Sequence, residues 1–136
     1  MWDIGVDIVD VERFRRMNYS NHEQFYNRVF TPSEIEYCLS SKKSAQNFAA
    51  TYAGKEAVYK AINRYVKIRL REIEILREKD GRPKVNLKMD KEKMSKLKLS
   101  SNVSIDVKVS LSHVSSYAVA FAMARIQRTV SEEGLS

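Results

Sequence analysis

Cysteine, proline and glycine are scarce in this chain of 136 residues, and each scarcity narrows the possible architectures. The single cysteine, Cys38, excludes an intramolecular disulfide and a multi-cysteine zinc site, which favours a reducing, cytoplasmic setting. Only 4 glycines and 2 prolines occur, and no linker or internal repeat divides the chain. We therefore predict a single domain over residues 1–125, followed by a polar C-terminal tail over residues 126–136.

Long hydrophobic runs are also missing. No apolar segment approaches the ~18 residues that span a bilayer, and the first ten residues, MWDIGVDIVD, carry acids where a secretory signal is basic. These features predict a protein with no membrane partner. The formal net charge of +7 attracts polyanions, which include nucleic acid, anionic lipid, nucleotide phosphates and acidic proteins. The charge therefore restricts the sign of the partner but leaves its identity open.

Alternating residues predict an α+β domain with an antiparallel sheet. Residues 2–8 alternate between an apolar face, which we expect to be buried, and a face that carries Gly5 and Asp7. A glycine beside a carboxylate leaves room for a closely approaching group. Further strands are predicted over 67–76, after an Asp80–Gly81 hairpin turn, over 103–111 and over 117–124. In the last strand large residues alternate with four alanines. This pattern predicts that the alanine face of the sheet packs against an alanine-rich helix.

Helix signals occupy the first half of the chain. Asp10 is the predicted N-cap of a short basic helix, and a second helix is predicted over 21–30. Thr31 and Glu34, with a proline between them at the first helical position, form a capping box. The long alanine-rich helix is predicted over about 44–64, and a short lysine-rich helical turn over 90–98.

Glu56 is the first candidate functional residue, in the segment TYAGKEAVYKAINR at 51–64. Lys60 lies four positions later, a spacing that allows a surface ion pair worth about 0.3–0.5 kcal/mol. The many small residues also indicate a well-covered helix, and a partly covered carboxylate requires a cation. Glu56 is therefore either half of a surface pair or one side of a metal and phosphate site.

Asp7 and His113 are the other candidates. Aspartate is poorly suited to a strand interior, so Asp7 is either a strand-end acid that faces solvent or a second ligand beside Glu56. Two carboxylates can hold Mg²⁺ together with waters and the phosphate oxygens of a substrate. His113 ends a predicted strand, in phase with the apolar residues. It is either a structural histidine or a donor to a phosphate.

Five segments carry a family pattern in order along the chain: GVDIVDVERF, FTPSEIEYC, FAATYAGKEAVYKA, IEIL…DGRPKVNL and VSLSHVSSYAVAFAMA. Their combination of a G-x-D-I strand, a K-E-A-x-x-K-A helix and an S-x-S-H motif resembles the holo-acyl-carrier-protein synthase family, the short 4′-phosphopantetheinyl transferases. The similarity runs from residue 3 to residue 124. It implies an antiparallel sheet packed against one long helix and several short ones.

The resemblance implies transfer of the 4′-phosphopantetheine group of coenzyme A to a serine of apo acyl carrier protein, with release of adenosine 3′,5′-bisphosphate, in fatty acid and lipid biosynthesis. Asp7 and Glu56 match the acids that bind Mg²⁺, and Glu56 also matches a group that helps to deprotonate the serine. Lys60 matches a lysine that contacts the phosphates. His113 matches a histidine that contacts the coenzyme.

The resemblance also implies protein partners. Arg13 matches a basic position that meets the acidic helix of the carrier protein, and the predicted docking residues are Arg13, Arg16 and Arg28. Related short members form homotrimers with active sites between neighbouring subunits, so we expect the same assembly here.

Two departures from the family pattern concern the coenzyme. Thr51 stands where the family often has an arginine that helps to hold a coenzyme phosphate. The glycine-rich loop that usually follows the long helix is replaced by NRYVKIRL. Arg64, Lys67 and Arg69 are the candidate replacement cations.

Two alternative functions remain at this point. The net charge and the lysines at positions 88, 91, 93, 96 and 98 suggest a small nucleic-acid-binding protein, although no RNP motif, helix-turn-helix or zinc finger supports it. The departures also leave room for an inactive relative that acts as a scaffold. The transferase hypothesis predicts no nucleic-acid partner.

Overall fold

The computed structural model describes residues 1–89, 92 and 103–128. Its helices are α1 (Val11–Arg16), α2 (Glu23–Val29), α3 (Pro32–Leu39) and α4 (Ser44–Ile62), with short 3₁₀ turns at Tyr19–Asn21 and Leu70–Glu72. Its strands are β1 (Trp2–Asp10), β2 (Ile73–Arg77), β3 (Pro83–Leu87), β4 (Val103–His113) and β5 (Tyr117–Arg128). The α+β class with antiparallel sheets and one long helix is confirmed.

The predicted helix caps are present. The Asp10 carboxylate accepts a hydrogen bond from the Glu12 amide at the start of α1. Thr31 and Glu34 form the capping box of α3, with Pro32 in its first turn. Each cap satisfies amides that a helix leaves unpaired at its N-terminus. These local signals place the helix starts within one or two residues of the prediction.

Within residues 1–89, 92 and 103–128, the strands form two antiparallel sheets. The main sheet has the order β1-β5-β4, and β2 pairs with β3 in a separate hairpin. Helix α4 lies across the main sheet, against the four buried alanines of β5. A Cβ added to Gly5 of β1 would lie 2.0 Å from the carbonyl oxygen of Ala57. The prediction of a close-approaching group beside Gly5 is confirmed, and that group is the backbone of α4.

The expectation about the apolar face of β1 is wrong for the single chain. The buried face of this strand carries Gly5 and Val9, whereas Trp2 is 62% exposed and Ile8 is 66% exposed. The large residues of β5 share this open side, because Val6 pairs with Phe121 across the two strands. The exposed apolar face consists of Trp2, Ile4, Val6, Ile8, Tyr117, Val119, Phe121 and Met123. Small residues occupy most of the face that packs on α4, because large side chains would keep the helix and the strands apart.

Two strand boundaries differ clearly from the sequence predictions. The strand expected over 67–76 begins only at Ile73, because a 3₁₀ turn occupies Leu70–Glu72. Strand β5 continues to Arg128, three residues into the predicted tail, and buries Ile126. The predicted helical turn over 90–98 falls almost entirely outside the described residues. The Asp80–Gly81 turn is confirmed, with Gly81 at φ 89°, a conformation that favours glycine.

An aromatic cluster holds the short helices on α4. Phe14 of α1, Tyr26 and Phe30 from α2 and its C-cap, and Phe48 of α4 are buried, with ring centroids 4.7–6.5 Å apart. The Tyr26 hydroxyl also donates to the Met17 carbonyl at 2.5 Å, which satisfies its polar end. This cluster fixes α1 and its arginines beside the middle of α4.

Candidate active site

Asp7 and Lys60 are in direct contact. The Lys60 ammonium donates to Asp7 Oδ1 at 3.1 Å and to the Val6 carbonyl at 3.0 Å. Asp7 is held on the helix-facing side of β1, where Gly5 lets α4 approach closely enough for Lys60 to reach the strand. The Asp7 side chain is 18% exposed and that of Lys60 is 51% exposed, so solvent and solutes can reach the pair.

Glu56 lies one helical turn before Lys60, on the same side of α4. Side chains four positions apart on a helix have their Cβ atoms about 6 Å apart. Glu56 is half-buried, and Tyr52 lies one turn earlier on the same helix. Asp7 of β1 thus contacts Lys60 directly, and Glu56 lies one helical turn from Lys60 along α4.

This donor set is small. No group of three or more histidine, cysteine, aspartate or glutamate side chains suited to a metal occurs among residues 1–89, 92 and 103–128. Two carboxylates suit Mg²⁺ all the same, because this ion is usually bound by one or two carboxylates and keeps several waters or phosphate oxygens.

His113 lies apart from these residues within one chain. Its Nδ1 is 2.8 Å from Gln46 Oε1, in the first turn of α4. Gln46 and Glu56 are ten positions apart, which is about 15 Å along a helix axis. A cleft of about 590 Å³ opens between β3 and β4 and is lined by Ser110 and Leu111, just before His113. One chain thus presents the acids and the histidine at separate places.

The predicted docking arginines lie on one basic surface. Arg13 is exposed, and its guanidinium carbon lies 5.2 Å from the Tyr52 ring and 5.9 Å from the Phe25 ring. Arg28 lies three positions after Phe25 on α2, and Arg16 lies one turn after Arg13 on α1. Arg16 is 81% exposed and contacts Glu12 at 3.7 Å. These arginines form an exposed cationic surface whose inner edge reaches α4 at Tyr52.

Comparison with known proteins assigns the fold and the family. The model of the 4′-phosphopantetheinyl transferase superfamily matches residues 3–122. The holo-[acyl-carrier-protein] synthase of Moorella thermoacetica is 37% identical over 135 residues, which is 98% of this chain and 100% of that protein. The chain belongs to the 4′-phosphopantetheinyl transferase superfamily. The holo-[acyl-carrier-protein] synthase of Caldicellulosiruptor saccharolyticus is 39% identical over 91% of this chain and 96% of its own length.

Solved structures of the superfamily share the whole fold. A Chronobacterium ammoniagenes ACPS–CoA complex superposes with a TM-score of 0.75 at 26% identity and covers 94% of this chain and 99% of that chain. The Helicobacter pylori holo-[acyl-carrier-protein] synthase in complex with coenzyme A gives 0.70 at 28% identity, over 90% and 99%. The described part of the present chain contains no helix long and apolar enough to cross a membrane.

The cation beside Thr51 is Arg77, at the end of β2, which was not among the predicted replacements. Arg77 of β2 donates from Nη2 to Thr51 Oγ1 at 3.1 Å. Within the part of the chain that the structure describes, Arg77 Nη1 is buried without a hydrogen-bond partner. Of the predicted replacements, Arg64 contacts Asp3 at 3.8 Å and Arg69 contacts Glu72 at 3.3 Å. The prediction missed Arg77 because only the tertiary fold brings β2 to this turn of α4.

A buried ionic network next to Glu56 was also missed by the sequence analysis. The fully buried Lys55 ammonium donates to Glu34 Oε1 and to the Ile73 carbonyl, both at 2.6 Å. Glu34 Oε2 accepts from the Ile75 amide at 2.8 Å. Burial lowers the pKa of Lys55, and the Glu34 carboxylate opposes that effect. A lysine within a run of small residues was the available signal. The network joins α3, α4 and β2 and so fixes the part of α4 that carries Glu56.

Proposed function

We propose that the protein is a holo-acyl-carrier-protein synthase that transfers the 4′-phosphopantetheine group from coenzyme A to a serine of apo acyl carrier protein. The observation that carries the proposal is the contact between Asp7 of β1 and Lys60 of α4, one helical turn from Glu56, in a chain of this superfamily. Relatives named for this activity align over nearly the whole chain. This assignment favours transfer chemistry over the nucleic-acid-binding alternative.

The proposed reaction is a phosphoryl-group transfer in which the serine oxygen forms a bond to the phosphorus that bears the pantetheine arm. The bond from that phosphorus to the bridging oxygen breaks, and adenosine 3′,5′-bisphosphate leaves with this oxygen. Glu56 accepts the serine proton, directly or through a water, because it is a half-buried carboxylate one helical turn before Lys60. Lys60 neutralises charge on the phosphates. Such reactions depend mainly on positioning and electrostatic stabilisation.

Asp7 and Glu56 would hold the Mg²⁺ ion that this reaction class uses. The donor set fits because two carboxylates from different elements leave room for waters and substrate oxygens. Bound there, the ion would supply positive charge to the pyrophosphate. Lys60 now neutralises Asp7 through Oδ1, and its long side chain can turn from the aspartate to a phosphate.

The active site is proposed to form between neighbouring copies in a homotrimer. The exposed apolar face of β1 and β5 supports this assembly, because eight large apolar side chains in one patch mark an interaction surface. The separation of His113 from Glu56 within one chain gives a second reason. In the trimer, His113 of one subunit would contact the coenzyme held by Asp7, Glu56 and Lys60 of its neighbour.

Mass spectrometry of an apo acyl carrier protein tests the function directly. Incubation with the protein, coenzyme A and Mg²⁺ is expected to add one phosphopantetheine arm to the carrier. A carrier whose acceptor serine is replaced by alanine should stay unmodified. If the native carrier gains no mass under conditions in which a known synthase modifies it, the transferase proposal is wrong and the inactive-scaffold alternative is favoured.

A further inference from the structure

Asp3 and Arg64 form a second ion pair between β1 and the end of α4, next to the pair of Asp7 and Lys60. Arg64 Nε lies 3.8 Å from Asp3 Oδ2, and Lys60 Nζ lies 3.1 Å from Asp7 Oδ1. The two acids are four positions apart on the helix-facing side of β1. The two cations are also four positions apart, which places Arg64 about 6 Å beyond Lys60 along the helix axis. Both pairs therefore have the same construction.

The helical path of α4 continues past its last residue toward Arg64. The Asn63 amide donates to the Tyr59 carbonyl at 2.9 Å, which is the spacing of an α-helical hydrogen bond. Asn63 also has α-helical torsions. Glu56, Lys60 and Arg64 therefore follow one another along one side of the helix, at intervals of four residues. We call these three residues the α4 row.

Asp3 does not depend on Arg64 to satisfy its carboxylate. Its Oδ2 accepts from the Tyr65 hydroxyl at 3.0 Å, and its Oδ1 accepts from the Ile4 amide at 3.0 Å. The 3.8 Å contact with Arg64 is longer than a hydrogen bond, and the Arg64 side chain is 72% exposed. Exposed pairs of this kind contribute little to stability. Arg64 can therefore turn from Asp3 to another anion while Asp3 keeps both hydrogen bonds.

The proposed ligand carries more negative charge than Asp7, Glu56 and Lys60 can balance. The two acids outnumber the one ammonium group, so these side chains together are negatively charged. One Mg²⁺ ion would bring the sum to about one positive charge, whereas coenzyme A carries a pyrophosphate and a 3′-phosphate, and a phosphate monoester alone has about 1.5 to 2 negative charges. A further cation is therefore expected close to Lys60.

We propose that Arg64 is a coenzyme-binding residue that contacts a phosphate group of coenzyme A, one helical turn beyond the phosphate that Lys60 contacts. This inference rests on the proposed function. A planar guanidinium can donate two parallel hydrogen bonds to phosphate oxygens. Of the candidate replacement cations, Arg64 belongs to the α4 row, whereas Arg69 contacts Glu72 at 3.3 Å beside its own 3₁₀ turn.

Equilibrium binding of coenzyme A to Arg64→Gln tests the inference without the transfer reaction. Isothermal titration with Mg²⁺ and without a carrier protein should give a Kd for coenzyme A at least about ten-fold above that of the wild type, because a charge-assisted contact is lost. Arg64→Lys keeps the positive charge and should recover part of the affinity. The unfolding midpoints of both variants should stay near wild type, since the side chain is exposed.

Arg71→Gln is the matched control, because it removes the same charge from another exposed arginine. Arg71 belongs to the Leu70–Glu72 turn, which packs on α2 and β2. Its Kd for coenzyme A should stay within about two-fold of the wild-type value, as expected for a single exposed charge at another place. Equal weakening in Arg64→Gln and Arg71→Gln would indicate a general effect of net charge, and the inference would be wrong.

3′-Dephospho-coenzyme A identifies the phosphate group that Arg64 contacts. If this group is the 3′-phosphate, Arg64→Gln should bind the analogue as tightly as the wild type does. If it belongs to the pyrophosphate, Arg64→Gln should lose the same factor in affinity for coenzyme A and for the analogue. Either result supports a phosphate contact by Arg64.

The outcomes also separate the inference from the function on which it rests. If the wild type binds coenzyme A and modifies a carrier protein, and Arg64→Gln has the wild-type Kd for coenzyme A, the Arg64 contact is wrong and the transferase proposal stands. The contact is also wrong if Arg64→Gln changes the KM for the carrier protein alone. If the wild type neither binds coenzyme A nor modifies a carrier, both proposals are wrong.

Discussion

Gly5 of β1 and Ala57 of α4 are in backbone contact, so close that a Cβ on Gly5 would lie 2.0 Å from the Ala57 carbonyl oxygen. This contact sets the distance between the strand and the helix. It explains why Lys60, one turn after Ala57, can reach both Asp7 Oδ1 and the Val6 carbonyl. The candidate site therefore depends on a position with no side chain.

Gly5→Ala is expected to lower the free energy of unfolding by at least about 2 kcal/mol, because the added methyl group meets backbone atoms that cannot rotate away. Chemical denaturation at one protein concentration measures the change. Gly81→Ala is the control: it meets nothing within 4 Å and has only its positive φ to oppose it, at about 1 kcal/mol. Equal losses in the two variants would argue against a tight contact between β1 and α4.

Asp7→Asn and Glu56→Gln should each lose transfer activity by a hundred-fold or more, on the order expected for loss of charge stabilisation at a transferring phosphoryl group. Both changes keep the size of the side chain, so the circular dichroism spectrum and the unfolding midpoint should stay near wild type. Mass spectrometry of the carrier gives the rates. Full activity in both folded variants would remove these acids from the mechanism.

Arg13→Glu should raise the KM for the carrier protein by ten-fold or more and leave the KM for coenzyme A nearly unchanged. A glutamate at this position repels the acidic helix of the carrier protein, and the other docking residues cannot remove that repulsion. Lys79→Glu provides an equal change of net charge on the exposed β2–β3 turn. A carrier KM that rises equally in both variants would indicate a general effect of net charge.

Phe121→Glu should abolish assembly, because it puts a charge into the middle of the exposed apolar face. Sedimentation should give a trimer for the wild type and a monomer for the variant, with transfer activity lost. Lys79→Glu, on the exposed β2–β3 turn and outside the main sheet, is the control and should remain assembled.

Mixing of inactive subunits tests whether the site is shared in the same assembly. Glu56→Gln and His113→Ala protomers, unfolded and refolded together, should regain part of the activity that neither regains alone. A mixture that assembles into trimers and stays inactive would mean that both residues act within one chain, whereas a His113→Ala protein that is fully active alone would mean that His113 has no role.

Stability should fall as the pH rises above about 9. Burial raises the pKa of Cys38 from 9.0 to about 12, so in this range the folded chain keeps a proton that the unfolded chain releases. Fewer protons on the unfolded state mean that the free energy of unfolding decreases with pH, by roughly 2–3 kcal/mol between pH 8 and pH 11 for this thiol. Urea unfolding measures the slope, and Cys38→Ala should make it shallower. An unchanged slope would mean that the thiol is not buried in solution.

Local sequence patterns alone predicted several helix starts, one hairpin turn and one face of the sheet. The capping box at Thr31, the turn at Gly81 and the alanine face of β5 depend on neighbours in the chain, so their signals survive in the bare sequence. The order of the motifs also indicated the family. The sequence identified Glu56, Asp7 and Lys60 as candidate site residues. It did not predict which of them are in contact.

The tertiary structure decided which residues meet. Only folding could show that Lys60 pairs with Asp7, that Arg77 lies beside Thr51, and that Arg13 lies over the Tyr52 ring. It also reversed the expected burial of β1, because alternation predicts two faces and not which one the helix covers. A helix packs more closely on glycine and alanine than on tryptophan and isoleucine. Helix α4 therefore covers the small-residue face, and the large apolar side chains remain exposed.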